Sequence, residues 1–356
     1  MDTLTHALSG ALLARATAPA VSRPDQLNLR LRMTTGFLSA AFPDSDFVLR
    51  LVDTLTYLNL HQGVTHSLIL LPLWALLLAV LFSFSTRQRY PWQAFFGIVS
   101  LGIAIHILGD LFTAYGTMIF APLTSWRASL PIIFVLDPFF TAIITVGLVA
   151  AIFWPKQRYI ASTTLIILAC YVGLQMTLHQ QAVRVGELYA KDHGLSGATS
   201  EALPQPLLLS NWKIIVSHNN NYYVALVNLI DTQSFFSPSL PKGVLTTIAT
   251  SYQPASRAVW KPHLRFTEIP SQETVVHEAW NQATLSDFRR FARYPTLDQV
   301  EITESRVCVW FVDLRFTLPG LVPSFRYGLC RSEISDQWKL EQKHGAFFIH
   351  GTFFID

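Results

Sequence analysis

The residues most capable of chemistry lie where the composition is least hospitable to them. Within an apolar N-terminal stretch stand four short clusters: Asp2 with His6, Asp44 with Asp46, His61 with His66, and His106 with Asp110. Asp2/His6 and His106/Asp110 are spaced i, i+4, so on a helix each pair shares one face and can aim two donors at one point. Asp44 and Asp46 follow Pro43 in a turn-prone run, where alternate residues can converge. His61 and His66 would diverge on a continuous helix and meet only if Gly63 breaks it. Imidazoles and carboxylates without thiolates suit Zn²⁺ first, with Mn²⁺ or Fe²⁺ as further choices, and catalytic sites of this kind keep a position for water. The candidate ligands are His6, Asp44, Asp46, His61, His66, His106 and Asp110. Seven exceed the needs of one ion, so two divalent ions are expected. Such a pair acidifies water and clamps the oxygens of a phosphoester, which makes hydrolysis the expected reaction. Asp46, or Asp137 in Leu136-Asp137-Pro138, is the candidate general base or orienting group.

Each cluster also has a purely structural use. Asp2 and Asp137 can cap helices, Pro43 to Asp46 can be a simple turn, and His106 with Asp110 can be a hydrogen-bonded pair. The residues before position 180 include no Glu, Lys156 as the single Lys, and seven Asp. Charge is costly in a bilayer and persists mainly where it lines a cavity or serves chemistry. That argues for one shared site over four independent structural roles.

The elements that must position these residues read as membrane helices. Hydrophobic residues make up 51% and charged residues 14% of the 356, too apolar for an ordinary soluble chain. A span needs about 20 mostly apolar residues. Ser67 to Ser85, Trp92 to Leu111, Pro131 to Trp154 and Tyr159 to Leu178 are the four strong candidates; Leu4 to Val21 and Leu31 to Phe42 are weaker. The weak pair carries Gly10, Gly36, Ser39, Ala40 and Ala41, which suit close helix contact. If that pair forms a hairpin, antiparallel crossing brings all four clusters to one membrane face. The connections at the other face then hold Arg15, Arg23, Arg30, Arg32, Arg87, Arg89, Lys156 and Arg158, against Arg50 and Arg127 at the site face. The positive-inside tendency places the basic face in the cytoplasm and the site outside it.

Past Thr177 the pattern changes. His179 to His193 reads as an amphipathic helix of a soluble region, Leu203 to Pro206 as a linker, and the rest as strands with a helix between Ser271 and Tyr294. Trp212 to Ser217 and Tyr222 to Ile230 form an expected hairpin; Arg306 to Thr317, Ser324 to Arg331, Gln337 to Gln342 and Ala346 to Phe354 form an expected meander. The fold class is therefore a membrane all-α helical bundle over residues 1–178, with four strong and two weak helices, followed by a soluble α+β domain over 179–356. Cys308 and Cys330 flank two strand-like segments and could pair in an oxidising compartment. The net charge of +3 and the lack of a basic run interleaved with aromatics exclude a nucleic-acid footprint. The remaining histidines, among them His344 and His350, lack ligand spacing.

Four motifs in order carry a resemblance: Met1-Asp2-Thr3-Leu4-Thr5-His6, Phe42-Pro43-Asp44-Ser45-Asp46, His61-Gln62-Gly63-Val64-Thr65-His66, and His106-Ile107-Leu108-Gly109-Asp110 with Tyr115-Gly116-Thr117. Over about the first 140 residues the chain resembles the YdjM-type family of membrane-bound metal-dependent hydrolases, whose His/Asp pattern is similar to zinc-dependent phospholipase C. The resemblance implies a multi-pass protein of a bacterial inner membrane with His6, Asp44, His61, His66, His106 and Asp110 as ligands. Its expected partners are membrane lipid and a small-molecule or lipid substrate, with the partner of the C-terminal domain left open. Gln62 stands where Arg is expected in many relatives, which would alter contacts to an anion. The competing class is a non-enzymatic membrane protein, a metal transporter or a partner-binding scaffold.

Overall fold

The computed structural model describes all residues except 20–25, 158, 231–242, 333–334, 344–346, 350–351 and 355–356. Arg23, Arg158, His344 and His350 thus lie outside the described residues. The chain divides into two compact units, Met1–Met176 and Thr177–Asp356.

In the first unit, α1 (Thr3–Ala16) starts at Asp2, whose carboxylate accepts from the Thr5 backbone N–H, and α2 (Leu29–Ala41) starts at Asn28, which accepts from Leu31. These are ordinary N-caps, supplying an acceptor to an orphan N–H. A Cβ placed on Gly10 would lie 2.2 Å from the Gly36 carbonyl oxygen, and one on Gly102 would lie 2.8 Å from Ser39 Cβ. The expected small-residue contact between α1 and α2 is therefore real, and α5 (Trp92–Leu111) joins it. Lacking side chains at these points, the three backbones approach closely enough for van der Waals packing to hold them in lipid.

The expected span Ser67 to Ser85 is built differently. Its helix α4 covers only Leu71–Ser85, and it is bent by 79° against the segment Thr54–His66 that precedes it, which includes α3 (Thr54–Leu60). Among the described residues, two helices are long and apolar enough to cross a membrane, α5 and α7 (Tyr159–Asp192), or three if the bent pair counts as one. The third expected strong span, Pro131 to Trp154, shortens to the 16-residue α6 (Pro138–Phe153), since residues before Pro138 leave the helix at the Asp137 cap. The span expected over Tyr159 to Leu178 and the amphipathic helix expected over His179 to His193 are one 34-residue helix, Tyr159–Asp192, whose composition turns polar along its length.

The second unit is a domain of β-sheets. β2 (Asn211–His218) and β3 (Asn221–Asn228) form the expected hairpin, with Asn219 at φ 54° in its tip, a left-handed conformation that Asn tolerates. β1 (Thr199–Pro204) pairs with β2 where a linker was expected. A four-stranded antiparallel sheet runs β6 (Pro295–Ile302), β7 (Arg306–Asp313), β8 (Arg326–Ser332) and β9 (Ser335–Lys343). Its first strand was not anticipated, and the last expected strand instead forms a separate two-stranded pairing, Phe347–Ile349 with Thr352–Phe354. The helix expected between Ser271 and Tyr294 is two helices, Pro270–Asn281 and Ser286–Phe291. Cys308 and Cys330 face each other across β7 and β8 and form a disulfide.

Candidate metal centre

Four ligand candidates meet at one end of the helical unit. His106 and Asp110 occupy the last turns of α5, Asp44 follows α2 in the 3-10 helix Phe42–Leu51, and His66 ends the short 3-10 turn Val64–His66. All four are at most 4% exposed. His66 Nε2 lies 2.9 Å from His106 Nε2 and 3.1 Å from Asp110 Oδ2; His106 Nε2 lies 3.2 Å from the same oxygen. Asp44 Oδ1 stands 3.7 Å from His66 Nε2 and 3.6 Å from His106 Nε2.

The surrounding hydrogen bonds fix what these atoms offer. The Ala40 carbonyl can only accept, so at 2.6 Å His106 Nδ1 carries the proton and Nε2 presents a lone pair. The Thr65 hydroxyl donates to Asp46 Oδ2 (3.1 Å), and His66 Nδ1 lies 2.9 Å from Thr65 Oγ1. With that hydroxyl already donating, Nδ1 donates to it, which leaves the second imidazole's Nε2 as a lone pair too. With both imidazoles neutral, two such lone pairs and two carboxylate oxygens converge. Asp110 Oδ2 makes no hydrogen bond, although it is buried between both imidazoles. Such a donor set is of the kind that holds a cation. Zinc–ligand bonds of about 2.0–2.1 Å set neighbouring tetrahedral donors about 3.3 Å apart, close to the 2.9–3.7 Å separations here. The group Asp44, His66, His106 and Asp110 can therefore hold a divalent ion.

The other candidates stand around it. His6 Nε2 pairs with Asp110 Oδ1 at 3.0 Å, and its ring stacks on His106 with centroids 3.8 Å apart. Gly109 makes room for it, since a Cβ there would lie 3.0 Å from His6 Cε1. The Met1 nitrogen lies 2.6 Å from the same Asp110 oxygen. His61 Nδ1 is 2.8 Å from Asp46 Oδ1, and Asp46 Oδ2 also accepts from the Gln62 N–H at 3.2 Å. Asp46 therefore orients His61 and the Thr65–His66 chain; it lies outside the four-residue group. Gly63 provides the expected break: a Cβ there would lie 2.5 Å from the Leu60 carbonyl oxygen, and Gln62 before it takes φ 57°. The His61 and His66 rings then sit edge to face, with centroids 5.7 Å apart.

Asp137 is placed elsewhere. Its Oδ1 accepts from the Phe140 N–H at 2.9 Å, as the N-cap of α6, and its Oδ2 accepts from the Tyr171 hydroxyl at 2.7 Å. Asp2 spends its carboxylate on Thr5 in the same way. The Gln62 side chain accepts from Thr117 at 3.0 Å and is buried.

Supporting residues went unnoticed in the sequence. Thr3 donates to Asp44 Oδ2 at 2.7 Å, and Arg127 donates to the carbonyls of Leu58, Asn59, His61 and Gly116. Arg127 thereby ties the His61 loop to the loop that follows α5. Its signal was available: it is the single basic residue between Arg89 and Lys156.

The family model described as YdjM inner membrane protein matches residues 1–182. The chain is also 27% identical over 330 residues to the uncharacterized protein YfhP of Bacillus subtilis, covering 91% of this chain and 89% of the relative. That likeness runs beyond residue 182 into the C-terminal unit. No solved structure matches the chain.

Proposed function

Because the chain belongs to the YdjM inner membrane protein family and is an inner membrane protein, we propose that it is a metal-dependent hydrolase acting at the membrane surface on a phosphoester or lipid. The observation that carries this reading is the buried convergence of His66 Nε2, His106 Nε2 and Asp110 Oδ2, with Asp44 Oδ1 beside them. A divalent ion, zinc by donor type, would supply acidified water and polarise the scissile bond when bound. The protein's own groups hold and orient. Ala40 and Thr65 fix the tautomers of His106 and His66, and His6 with the Met1 nitrogen balances Asp110. Asp46 holds His61 through Nδ1 and so orients the imidazole for proton transfer. This reading gives His61 the acid-base role and makes Asp46 its positioning residue. Asp137, engaged by Phe140 and Tyr171, serves α6.

A transport path would distribute ligands along the spans. Here they gather at helix ends, and among the described residues the first unit holds a single such group, which favours the enzyme. The site end and the C-terminal domain are assigned to the extracytoplasmic side, on the strength of the basic opposite end and the disulfide between Cys308 and Cys330.

Elemental analysis of purified full-length protein should find a transition metal at one or more equivalents, abolished by His106→Ala with Asp110→Ala. Metal-dependent release of product from a phosphoester should vanish in the same variant. Near-zero metal in both proteins would sink the reading.

A further inference from the structure

The residues that adjoin the metal group in sequence and reach the surface are mostly apolar. Leu4 lies two positions before His6, Phe47 follows Asp46, Val64 precedes His66 by two, and Leu68 follows it by two; each is between 45% and 58% exposed. In the connections at this end Leu51 is 88%, Val52 72%, Leu123 79% and Trp126 56% exposed, with Asp53, Thr124 and Ser125 exposed among them in sequence. The opposite end of the same unit also exposes apolar residues, Phe153 and Trp154 among them, but there basic side chains stand beside them. There the α4–α5 turn exposes Arg87 and Arg89, and Lys156 is exposed near Pro155, whose carbonyl Arg15 holds at 2.7 Å. Exposed Leu and Val on irregular connections are expensive in water, about 25 cal/mol for each Å² of apolar surface. Exposed apolar residues gathered in these connections mark a surface suited to an apolar medium.

The backbone supports an immersed position. The segment Thr54–His66 and α4 pass together as an apolar pair bent by 79°, the shape of a chain that enters the bilayer and turns. Irregular backbone is tolerated there when its polar groups are met by protein. Arg127 meets four of this region's carbonyls, and the Met118 N–H donates to the Gln62 carbonyl at 2.8 Å.

We infer that this apolar collar lies in one leaflet and that the metal group takes its substrate from the lipid: a membrane lipid whose ester or phosphoester head enters between Leu4, Phe47 and Val64. The inference rests on the hydrolase reading above and narrows its substrate class. A water-soluble phosphoester would need a polar rim, and the exposed polar neighbour closest to the group in sequence is Ser45, between Asp44 and Asp46.

The test uses full-length protein in phosphatidylglycerol/phosphatidylethanolamine vesicles with Cys170→Ser, carrying a spin label on Leu51→Cys, Leu123→Cys or, as a control, Arg89→Cys. Power saturation should show the first two labels several-fold more accessible to oxygen than to a nickel chelate, and the control label the reverse. In unlabelled protein, a phosphatidylglycerol with a diazirine close to its ester carbonyl should crosslink into 42–66 and 117–127 in preference to 86–91. Metal content is measured on every sample. Water-accessible collar labels on metal-bearing protein, or crosslinks absent from both collar segments, overturn the lipid-fed site and leave the metal centre standing. Lipid-embedded labels on protein without metal overturn the centre, and the substrate class with it.

Discussion

Both units bury charge, but they resolve it in opposite ways. In the C-terminal unit, Asp313 meets Arg315 at 2.7 Å and also accepts from the Arg293 backbone N–H, while Arg315 donates onward to Phe291. Lys213, 2% exposed, donates to the Leu314 carbonyl at 2.8 Å and to both oxygens of Thr317. Each of these three groups has a donor or acceptor of the complementary kind. In the N-terminal unit, His66, His106, Asp44 and Asp110 instead bring ligand atoms together, among them an Asp110 oxygen with no hydrogen bond. Burial of charge alone does not identify a site. Ligand atoms that converge on one point mark a candidate, because an ion can sit among them.

That contrast can be broken by variants of the two kinds. Asp313→Ala should cost about 3–5 kcal/mol of unfolding free energy, since it strands a buried guanidinium; denaturation of full-length protein that shifts by less than about 1 kcal/mol would mean the pair is dispensable. Asp44→Asn should do the reverse in metal-free protein, leaving the thermal midpoint unchanged or raised by relief of like-charge crowding. With metal at about a thousandfold its Kd, wild type should gain about 4 kcal/mol and Asp44→Asn much less. A midpoint shift by metal that survives in the variant would remove Asp44 from the ligand set.

The smallest effect is a pH dependence. Burial pushes the Lys213 amine down to about 7, with the Asp313 carboxylate pulling the other way. The unfolded chain keeps that proton to about pH 10.4, so above pH 7 it binds more protons than the folded one. Stability should therefore rise with pH from 7 upward, by about 1–2 kcal/mol to about pH 8.5, and Lys213→Met should flatten the rise. A wild-type profile already flat over this range would show that the amine stays protonated in the fold.

The His/Asp layer was legible because a helix repeats every 3.6 residues: His106 and Asp110 had to share a face, and they do. The break at Gly63 was legible for a related reason, as no other route brings His61 and His66 together. The cap role of Asp137 was hard to read because an N-cap and an acid-base group look alike in sequence; the Phe140 N–H and the Tyr171 hydroxyl are what occupy its carboxylate. The bend before α4 was hidden by uniform hydropathy, since Ser67 to Ser85 has no charge or glycine to mark it. The Ser67 hydroxyl marks it in the structure, donating to the Ala121 carbonyl and accepting from Ile69 and Leu70. β1 was obscured by its prolines, Pro204 lying at its end and Pro206 just beyond. These errors fall where a tertiary partner, and not local periodicity, decides the conformation.

The four converging donors come from positions 44, 66, 106 and 110, and no two adjacent members of that group arise from a single turn except the last pair. During synthesis, then, the centre does not exist until Asp110 has been inserted beside α1 and α2. A nascent chain ending earlier offers isolated imidazoles and carboxylates of ordinary, weak metal affinity. A divalent ion bound there would thereby report on assembly, since only a bundle whose glycine contacts have closed brings the four donors together.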